Sequence, residues 1–156
     1  MATYKKIKLM TGGYTLLDNE DWKTYSDKKW TIRSGYAGHV FHKNNKQTTL
    51  LLHRLIMEAK QGQLVDHINR DKLDNRRANL RFANRSENAA NCKVHAHNTS
   101  GYKGVSKSGK KWRAYIVLND KQIYIGTFSK KEDAALAYNE RALQIFGQFA
   151  NINEVF

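Results

Sequence analysis

The apolar residues of this 156-residue chain occur in short runs separated by polar turns, and this pattern limits the folds open to it. Most runs alternate with polar residues, as Ile7 and Leu9 do between lysines, which is typical of half-buried strands. Only one segment, from about Lys130 to Phe146, has the length and spacing of a long helix. No run approaches the ~20 apolar residues that span a bilayer. We therefore expect an α+β protein of small sheets, without a membrane partner.

The first fifty residues contain four strand-like runs, KIKLM, YTLL, GYAGHVF and TTLLL, and the polar stretch DNED is interpreted as a turn. Three large aromatic residues, Trp22, Tyr25 and Trp30, lie among these runs. We interpret them as the core of a small sheet, although aromatic rings beside lysines can also stack on nucleic acid bases.

The middle of the chain has a different order of elements. Its predicted segments are a helix over LLLHRLIMEA (50–59), a strand over VDHI (65–68), a polar loop over NRDKLDNRRA (69–78), a strand over NLRFA (79–83) and a short helix over NRSENAANCK (84–93). The pattern after the first helix is thus strand, loop, strand and helix within about thirty residues.

The net charge of +13 indicates a polyanionic partner. Basic residues exceed acidic ones in all three predicted parts, so we favour an extended nucleic acid. A membrane surface would be the competing polyanion, but no basic amphipathic helix stands out. The single cysteine, Cys92, excludes an intramolecular disulfide and a zinc site of paired cysteines, which favours a reducing cell interior.

Two neighbouring residues at the end of the VDHI strand carry groups suited to phosphodiester hydrolysis. The imidazole of His67 has the right intrinsic pKa, about 6.5, to take a proton from water near neutral pH. Oxygen ligands such as the Asp66 carboxylate bind the hard divalent ions that neutralise charge on phosphate. On an extended strand the two side chains point to opposite faces, unless a twist at the loop turns both towards one groove. The alternative is that an Asp-His pair beside a turn is structural.

The spacing from Asp66-His67 to Asn79 and then to Asn88 resembles the ββα-metal (His-Me finger) core of HNH endonucleases, in the H-N-N variant of phage and intron-encoded homing enzymes. The resemblance implies that His67 is the general base, that Asp66 and Asn88 hold one Mg²⁺ or Mn²⁺ ion, and that Asn79 braces the loop. Where many relatives have a further His after the last motif residue, this chain has Cys92, a poor ligand for a hard ion.

Five arginines surround this motif. An arginine-rich stretch is ordinarily a solvated face, but near a phosphate site we interpret these residues as clamps on the DNA backbone. They are Arg70, Arg76, Arg77, Arg81 and Arg85.

Other histidines have weaker claims to a role. A histidine also recurs at the position of His53 in the leading segment of the family. A histidine on an apolar helix is more often a buried, hydrogen-bonded core residue than a catalytic one, so we interpret His53 as part of the core. A metal cluster of Cys92, His95 and His97 matches no usual zinc spacing and lacks a fourth ligand.

From Gly101 onwards the sequence predicts three antiparallel strands and the long helix. Ser129 and Glu132 form an S-x-x-E capping box before that helix, and Gly147 supplies its stop. Along WRAYIVL, Ala114 and Ile116 share one face, which fits the apolar stripe of the helix. The opposite face is then left for solvent or a ligand.

The pieces YKGV, GTF and AALAY in this region resemble the plant ethylene-response-factor type of DNA-binding domain (the APETALA-two type). That family lays its sheet in the major groove, which implies contacts from Lys103, Ser106, Arg113, Tyr115, Gln122 and Tyr124. Ser106, Val117 and Gln122 stand where the plant domains have arginines, so direct readout of guanine is expected to be thinner. The alternative is that the sheet is only a scaffold.

We therefore expect three parts: a β-rich region over 1–50, an HNH nuclease domain over 51–97 and an ethylene-response-factor-like domain over 98–156. The expected function is metal-dependent cleavage of double-stranded DNA in the cytoplasm of a phage-infected or bacterial host cell. The alternative is a DNA-binding regulator with a vestigial nuclease centre. The sequence does not specify the oligomeric state.

Overall fold

The structure, a computed structural model, describes residues 4–95 and 97–156. The first three residues of the predicted N-terminal region and Ala96 of the polar segment after Cys92 lie outside the described residues. The chain forms two compact units, Met1–Ala83 (the first unit) and Asn84–Phe156 (the second unit). The three-part division drawn from the sequence stays a prediction.

The first unit contains seven strands, two short α-helices and one 3-10 turn (Arg77–Asn79) among its described residues. In chain order they are β1 (Tyr4–Lys8), β2 (Tyr14–Asp18), α1 (Asn19–Tyr25), β3 (Thr31–Arg33), β4 (Tyr36–Lys43), β5 (Lys46–Leu51), α2 (Leu52–Ile56), β6 (Leu64–His67) and β7 (Leu80–Ala83). The sheets are the antiparallel pairs β1-β2 and β6-β7 and the three-stranded β3-β4-β5.

One apolar core joins these small sheets and helices. Trp30 is fully buried, and its indole nitrogen donates a hydrogen bond to the Tyr25 carbonyl over 2.8 Å, as expected for a core aromatic. Ile7, Leu17, Leu52 and other buried residues complete the core. The alternating pattern of the N-terminal strands therefore predicted their buried side correctly.

Two sequence predictions in the first unit were wrong in detail. Residues 19–21 belong to α1 instead of a turn, because Glu20 and Asp21 favour the positive N-terminal end of a helix and Trp22 packs on the core. The predicted helix over 50–59 is shorter, because Leu50 and Leu51 continue β5 and pair with β4.

The second unit contains α3 (Arg85–Asn91), β8 (Val105–Ser108), β9 (Lys111–Leu118), β10 (Lys121–Phe128) and α4 (Lys131–Phe146). The sheet is antiparallel in the order β10-β9-β8, with α4 packed on one face. Ile116 is buried with Tyr138 and Ala142, and Ala114 is buried with Ala134 and Ala135, as the alternation along β9 predicted. Gly104 is required at its position, because a Cβ atom there would lie 2.1 Å from the Tyr138 ring.

The ends of α4 were only partly predicted. Gly147 follows the helix with a positive φ of 50°, as expected for a stop. The capping box was wrong, because the helix starts one residue later and its N-cap, Lys130, makes no side-chain capping hydrogen bond. The predicted α+β class is confirmed. No helix within the described ranges is long and apolar enough to cross a membrane.

Candidate active site

Asp66 and His67 lie at the end of β6, where the antiparallel partner β7 places Arg81 opposite Asp66 and Leu80 opposite His67. Both side chains are buried, at 6% and 4% exposure. Successive residues of a strand point to opposite faces, so the two groups have different neighbours. Whether a twist at the loop turns both side chains towards one groove, as the proposed site requires, stays a prediction.

The Asp66 carboxylate forms a buried ion pair with Arg81. The Nε and one terminal nitrogen of the guanidinium lie 2.9 Å and 2.8 Å from the same oxygen, Oδ2. The Arg81 side chain is only 12% exposed. Such a pair is costly to break from one side, because a buried charge would be left uncompensated. Arg81 therefore fixes the orientation of the carboxylate.

The His67 ring is held by a buried amide. Its Nε2 atom lies 3.2 Å from Oδ1 of Asn75, whose Nδ2 donates to the Thr15 hydroxyl over 2.7 Å. Burial lowers the pKa of His67 from its usual value, and the Asn75 hydrogen bond and nearby carboxylates oppose that shift only in part. The ring is therefore neutral near pH 7, as a general base must be.

A second imidazole lies against His67. The ring centroids of His53 and His67 are 5.1 Å apart in an edge-to-face arrangement, and Tyr36 contacts both rings at 4.8 Å and 5.9 Å. Lys72 of the loop after β6 sits over Tyr36, 4.3 Å from the ring centroid. The predicted burial of His53 is thus confirmed, at 5% exposure.

His53 is not a satisfied core residue, however. Its Nδ1 atom has no hydrogen-bond partner within the described part of the chain. Burial, followed by the charges of His67, Arg54 and Lys72, lowers its pKa to about 3. His53 is therefore a neutral ring beside the candidate base.

Asn79 closes the loop that follows His67. Its Oδ1 accepts from the Asn69 backbone over 2.9 Å, and its Nδ2 donates to Asn69 Oδ1 and to the Asp74 carbonyl over 2.9 Å and 2.8 Å. Its own carbonyl accepts from the Ile68 amide. One buried amide thus ties the two ends of the loop together, where the sequence predicted a brace.

The arginines of the first unit differ in whether they form ion pairs with carboxylates of the fold. Arg76 forms a two-contact ion pair with Asp74, and Arg77 forms one with Asp21 in α1. Arg81 holds Asp66 as described. Arg70 lies exposed in the loop with a positive φ of 65°. Three of the predicted DNA clamps therefore have carboxylate partners in the fold itself.

Two predicted residues belong to α3 of the second unit. Asn88 is half-buried on that helix, as predicted, and Arg85 is exposed in its first turn. The helix starts with a capping box in which Asn84 and Glu87 each bind the other's backbone amide. The local fold thus supports a helix at the position of the last motif residue.

The face of the C-terminal sheet opposite α4 carries the predicted DNA contacts. The strand pairing brings Ser106 beside Arg113 and Tyr115 beside Tyr124. Arg113 and Gln122 are exposed, and Tyr124 is 60% exposed. This face therefore has polar and aromatic groups available to a ligand.

Lys103 is placed differently from the other predicted contacts. Its ammonium group donates to the carbonyls of Ala89 and Cys92 over 3.0 Å and 2.9 Å, and also to that of Ala90. These carbonyls lie at the C-terminal end of α3, where a cation is favourable. A DNA contact by Lys103 stays a prediction, and it requires the side chain to leave this position.

Sequence reasoning missed Thr15 and Asn75, and it missed the contact between His53 and His67. Thr15 and Asn75 are 60 residues apart, so no local spacing relates them. The one available signal was Asn75 itself, a polar residue next to the motif in a loop that must bury its polar groups.

The sequence is similar to known proteins over the segment that contains the candidate site. A family model described as HNH endonuclease matches residues 50–90, which include all four motif residues. A protein of Acanthamoeba polyphaga mimivirus named "Uncharacterized HNH endonuclease L560" is 31% identical over 147 residues, covering 92% of this chain and 76% of the relative. "Protein 3.8" of Escherichia phage T7 is 36% identical over 92 residues, 58% of this chain and 75% of the relative.

No solved structure matches the chain. The family assignment therefore depends on the sequence matches, and the mimivirus relative extends well beyond the motif on both sides. Because that relative is aligned over most of its own length, and the family model covers Asp66, His67, Asn79 and Asn88, this chain belongs to the HNH endonuclease family.

Proposed function

We propose that this protein is a metal-dependent DNA endonuclease of the homing (H-N-N) type that hydrolyses phosphodiester bonds, with His67 as the general base. The observation that carries the proposal is the buried, neutral His67 ring at the end of β6, the strand that also carries Asp66, followed by a loop braced by Asn79. The homing type is proposed from the spacing of the motif. The proposed site of action is the interior of a phage-infected or bacterial cell.

His67 would take the proton of the water that attacks phosphorus. A neutral imidazole can accept this proton near pH 7, and a ring fixed by Asn75 loses little freedom when it does so. Asn79 would act indirectly, by keeping the loop after His67 in the conformation that presents the ring.

Asp66 and Asn88 would hold one Mg²⁺ or Mn²⁺ ion. HNH nucleases generally use a divalent metal, and these residues offer only oxygen donors, which suit a hard ion that keeps several waters. Arg81 contacts Oδ2 of Asp66 through two of its nitrogens and so orients the carboxylate. When bound, the ion would neutralise charge on the phosphate and on the 3′ leaving oxygen.

Metal binding by this set would depend on water and DNA for the remaining ligands. Among residues 4–95 and 97–156, no group of three or more His, Cys, Asp or Glu side chains is arranged to hold a metal. We therefore expect weak affinity for the ion in the absence of DNA.

Double-stranded DNA is the proposed substrate. The charge of +13 supplies general affinity, and the exposed face with Arg113 and Tyr124 would act as an ethylene-response-factor-like anchor. Arg70 and Arg85 are exposed and suited to backbone contacts. One centre per chain makes a single-strand nick the expected product of a monomer.

The deciding assay uses supercoiled plasmid with Mg²⁺ or Mn²⁺, with and without chelator, beside a His67→Ala variant. We expect nicking that chelator abolishes and that His67→Ala lowers by roughly a hundredfold or more, as loss of a general base does. His42→Ala, which changes an exposed histidine, is the matched control. DNA binding without metal-dependent nicking would favour the alternative, a regulator with a vestigial centre.

A further inference from the structure

Three buried polar side chains of the first unit form a continuous chain of hydrogen bonds that ends on a backbone carbonyl. His67 Nε2 lies 3.2 Å from Asn75 Oδ1, and Asn75 Nδ2 lies 2.7 Å from Thr15 Oγ1. Thr15 Oγ1 lies 2.8 Å from the carbonyl oxygen of Leu73. Thr15 and Asn75 are both 0% exposed. No solvent competes for these contacts, so each atom must donate or accept within the chain.

The direction of every bond follows from the carbonyl end. A carbonyl oxygen only accepts, so Thr15 uses its single hydroxyl proton on Leu73. The Thr15 oxygen must then accept from Asn75, and the atom facing it is the Nδ2 amide nitrogen. The other end of that amide is therefore Oδ1, which also only accepts. It follows that His67 Nε2 carries the proton in this contact.

We propose that Thr15 and Asn75 are positioning residues that hold the His67 ring in the tautomer with the proton on Nε2. The use of that tautomer by a general base rests on the proposed function, whereas the tautomer itself does not. Thr15 belongs to β2, so the N-terminal hairpin contributes to the nuclease centre.

The opposite orientation of the Asn75 amide would reverse this result. Its NH₂ group would face His67 Nε2 and stabilise the tautomer protonated on Nδ1. Thr15 would then have to donate to Asn75, leaving two acceptor oxygens, Thr15 Oγ1 and the Leu73 carbonyl, 2.8 Å apart with no proton between them. Losing that hydrogen bond costs about 0.5–1.5 kcal/mol, or roughly 2- to 13-fold, before any repulsion is counted.

Backbone hydrogen bonds keep the chain in register. The Leu16 amide donates to the Leu73 carbonyl over 2.8 Å, and the Asn75 amide donates to the Leu16 carbonyl over 2.9 Å. Leu16 is the neighbour of Thr15, so the hydroxyl cannot move away from the loop unless these bonds break. These backbone hydrogen bonds therefore fix the orientation of the Asn75 side chain.

The test compares Thr15→Val, which removes the hydroxyl at nearly constant volume, with Thr15→Ser, which keeps it. Long-range ¹H–¹⁵N correlation spectra report the tautomer of His67 in the DNA-free protein, at a pH where the ring is neutral in each variant. We expect the Nε2-protonated form in the wild type and in Thr15→Ser. Thr15→Val should give a mixture of tautomers or the Nδ1-protonated form.

Kinetics and a rescue variant extend the test. Thr15→Val should lower kcat for plasmid nicking roughly 5- to 30-fold, as expected for the loss of one buried hydrogen bond, with KM unchanged. Adding Asn75→Asp to Thr15→Val should restore the Nε2-protonated tautomer, because a carboxylate cannot donate to the ring. Should Thr15→Val fail to fold, Asn75→Leu serves instead, because leucine offers no hydrogen bond to Nε2, and it too should give mixed tautomers.

The outcomes separate this inference from the proposed function. A wild-type ring protonated on Nδ1, or a folded Thr15→Val protein with unchanged tautomer and kcat, would overturn the inference whatever DNA is cut. A wild-type ring protonated on Nε2 in a protein that nicks no plasmid would support the tautomer assignment and contradict the nuclease proposal.

Discussion

The two units use polar residues in opposite ways. In the first unit Asp66, His67 and Asn79 are at most 8% exposed, and each is held by a specific partner. In the second unit Arg113 and Tyr124 lie on the open face of a sheet, with Tyr124 60% exposed. Buried groups cannot rely on water for hydrogen bonds, so the fold must fix them. Exposed groups keep their freedom and supply affinity through charge and stacking.

This difference predicts how each unit responds to change. Removing a partner from a buried network leaves an unsatisfied group and costs about 1–3 kcal/mol, more if the group is charged. Changing an exposed residue usually alters stability by no more than about 0.5 kcal/mol. Large effects on the reaction are therefore expected in the first unit, and small, salt-dependent effects on binding in the second.

The largest effect is expected from Asp66→Asn. Asparagine keeps an oxygen for the Arg81 guanidinium but removes the negative charge proposed to hold the ion. We expect plasmid nicking to fall about 10³-fold, with a higher Mn²⁺ concentration needed for half-maximal rate. Thermal denaturation should show that the protein still folds. Asp27→Asn, at an exposed carboxylate, is the control, and wild-type nicking by Asp66→Asn would contradict the assigned ligand.

The next effect is on acid stability and comes from His53. The pKa of His53 is about 3 in the folded protein and about 6.5 in the unfolded chain. Between these pH values the ring is protonated in the unfolded chain but neutral in the folded protein. Stability should therefore fall as the pH drops from 6.5 towards 3, by about 1.4 kcal/mol per pH unit for this group. From pH 7 to about pH 4.5 the loss is on the order of 2–3 kcal/mol.

His53→Phe should remove that share of the acid sensitivity. Urea denaturation of wild type and variant at the two pH values measures it, with the exposed His42→Phe as control. At pH 7 the variant should be no less stable, because the Nδ1 atom that it removes has no partner among the described residues. An unchanged pH dependence would show that His53 is protonated more easily than its surroundings imply.

Some elements of the fold were predictable from the sequence alone, and others were not. The strand ending in Asp66-His67 and the two faces of β9 were predictable, because a period of two and the turns around it are local signals. Residues 19–21 were not, because Asn, Glu and Asp suit both a turn and the first turn of a helix. Only the packing of Trp22 on the core decides between them.

The candidate site divides in the same way. The motif spacing predicted the base and the loop brace through the family resemblance, and both roles stay predictions. The contacts of His67 with Asn75 and with His53 depend on tertiary proximity that no spacing encodes. The same holds for Arg77, whose charge is equally consistent with a DNA clamp and with the Asp21 ion pair that the fold contains.

A smaller effect tests whether Arg77 belongs to the buried network or to the DNA surface. Arg77→Ala leaves the Asp21 carboxylate, whose side chain is 5% exposed, without its guanidinium partner. We expect the free energy of unfolding to fall by about 1–3 kcal/mol in urea denaturation. The effect should largely disappear when Asp21→Asn is already present, as a double-mutant cycle measures. A loss of DNA affinity with unchanged stability would instead place Arg77 on the DNA.

The smallest effect is expected from Arg113→Ala on the exposed sheet. Loss of one phosphate contact should weaken DNA binding only several-fold and reduce the log–log salt slope by about 0.9. Thermal denaturation of the protein should be unchanged, because the side chain is exposed. Arg141→Ala removes the same charge from α4, on the opposite face of the sheet, and is the matched control. If both variants reduce the salt slope equally, the sheet face has no privileged contact with DNA. The second unit then contributes only diffuse charge, and positioning of the substrate must come from the first unit.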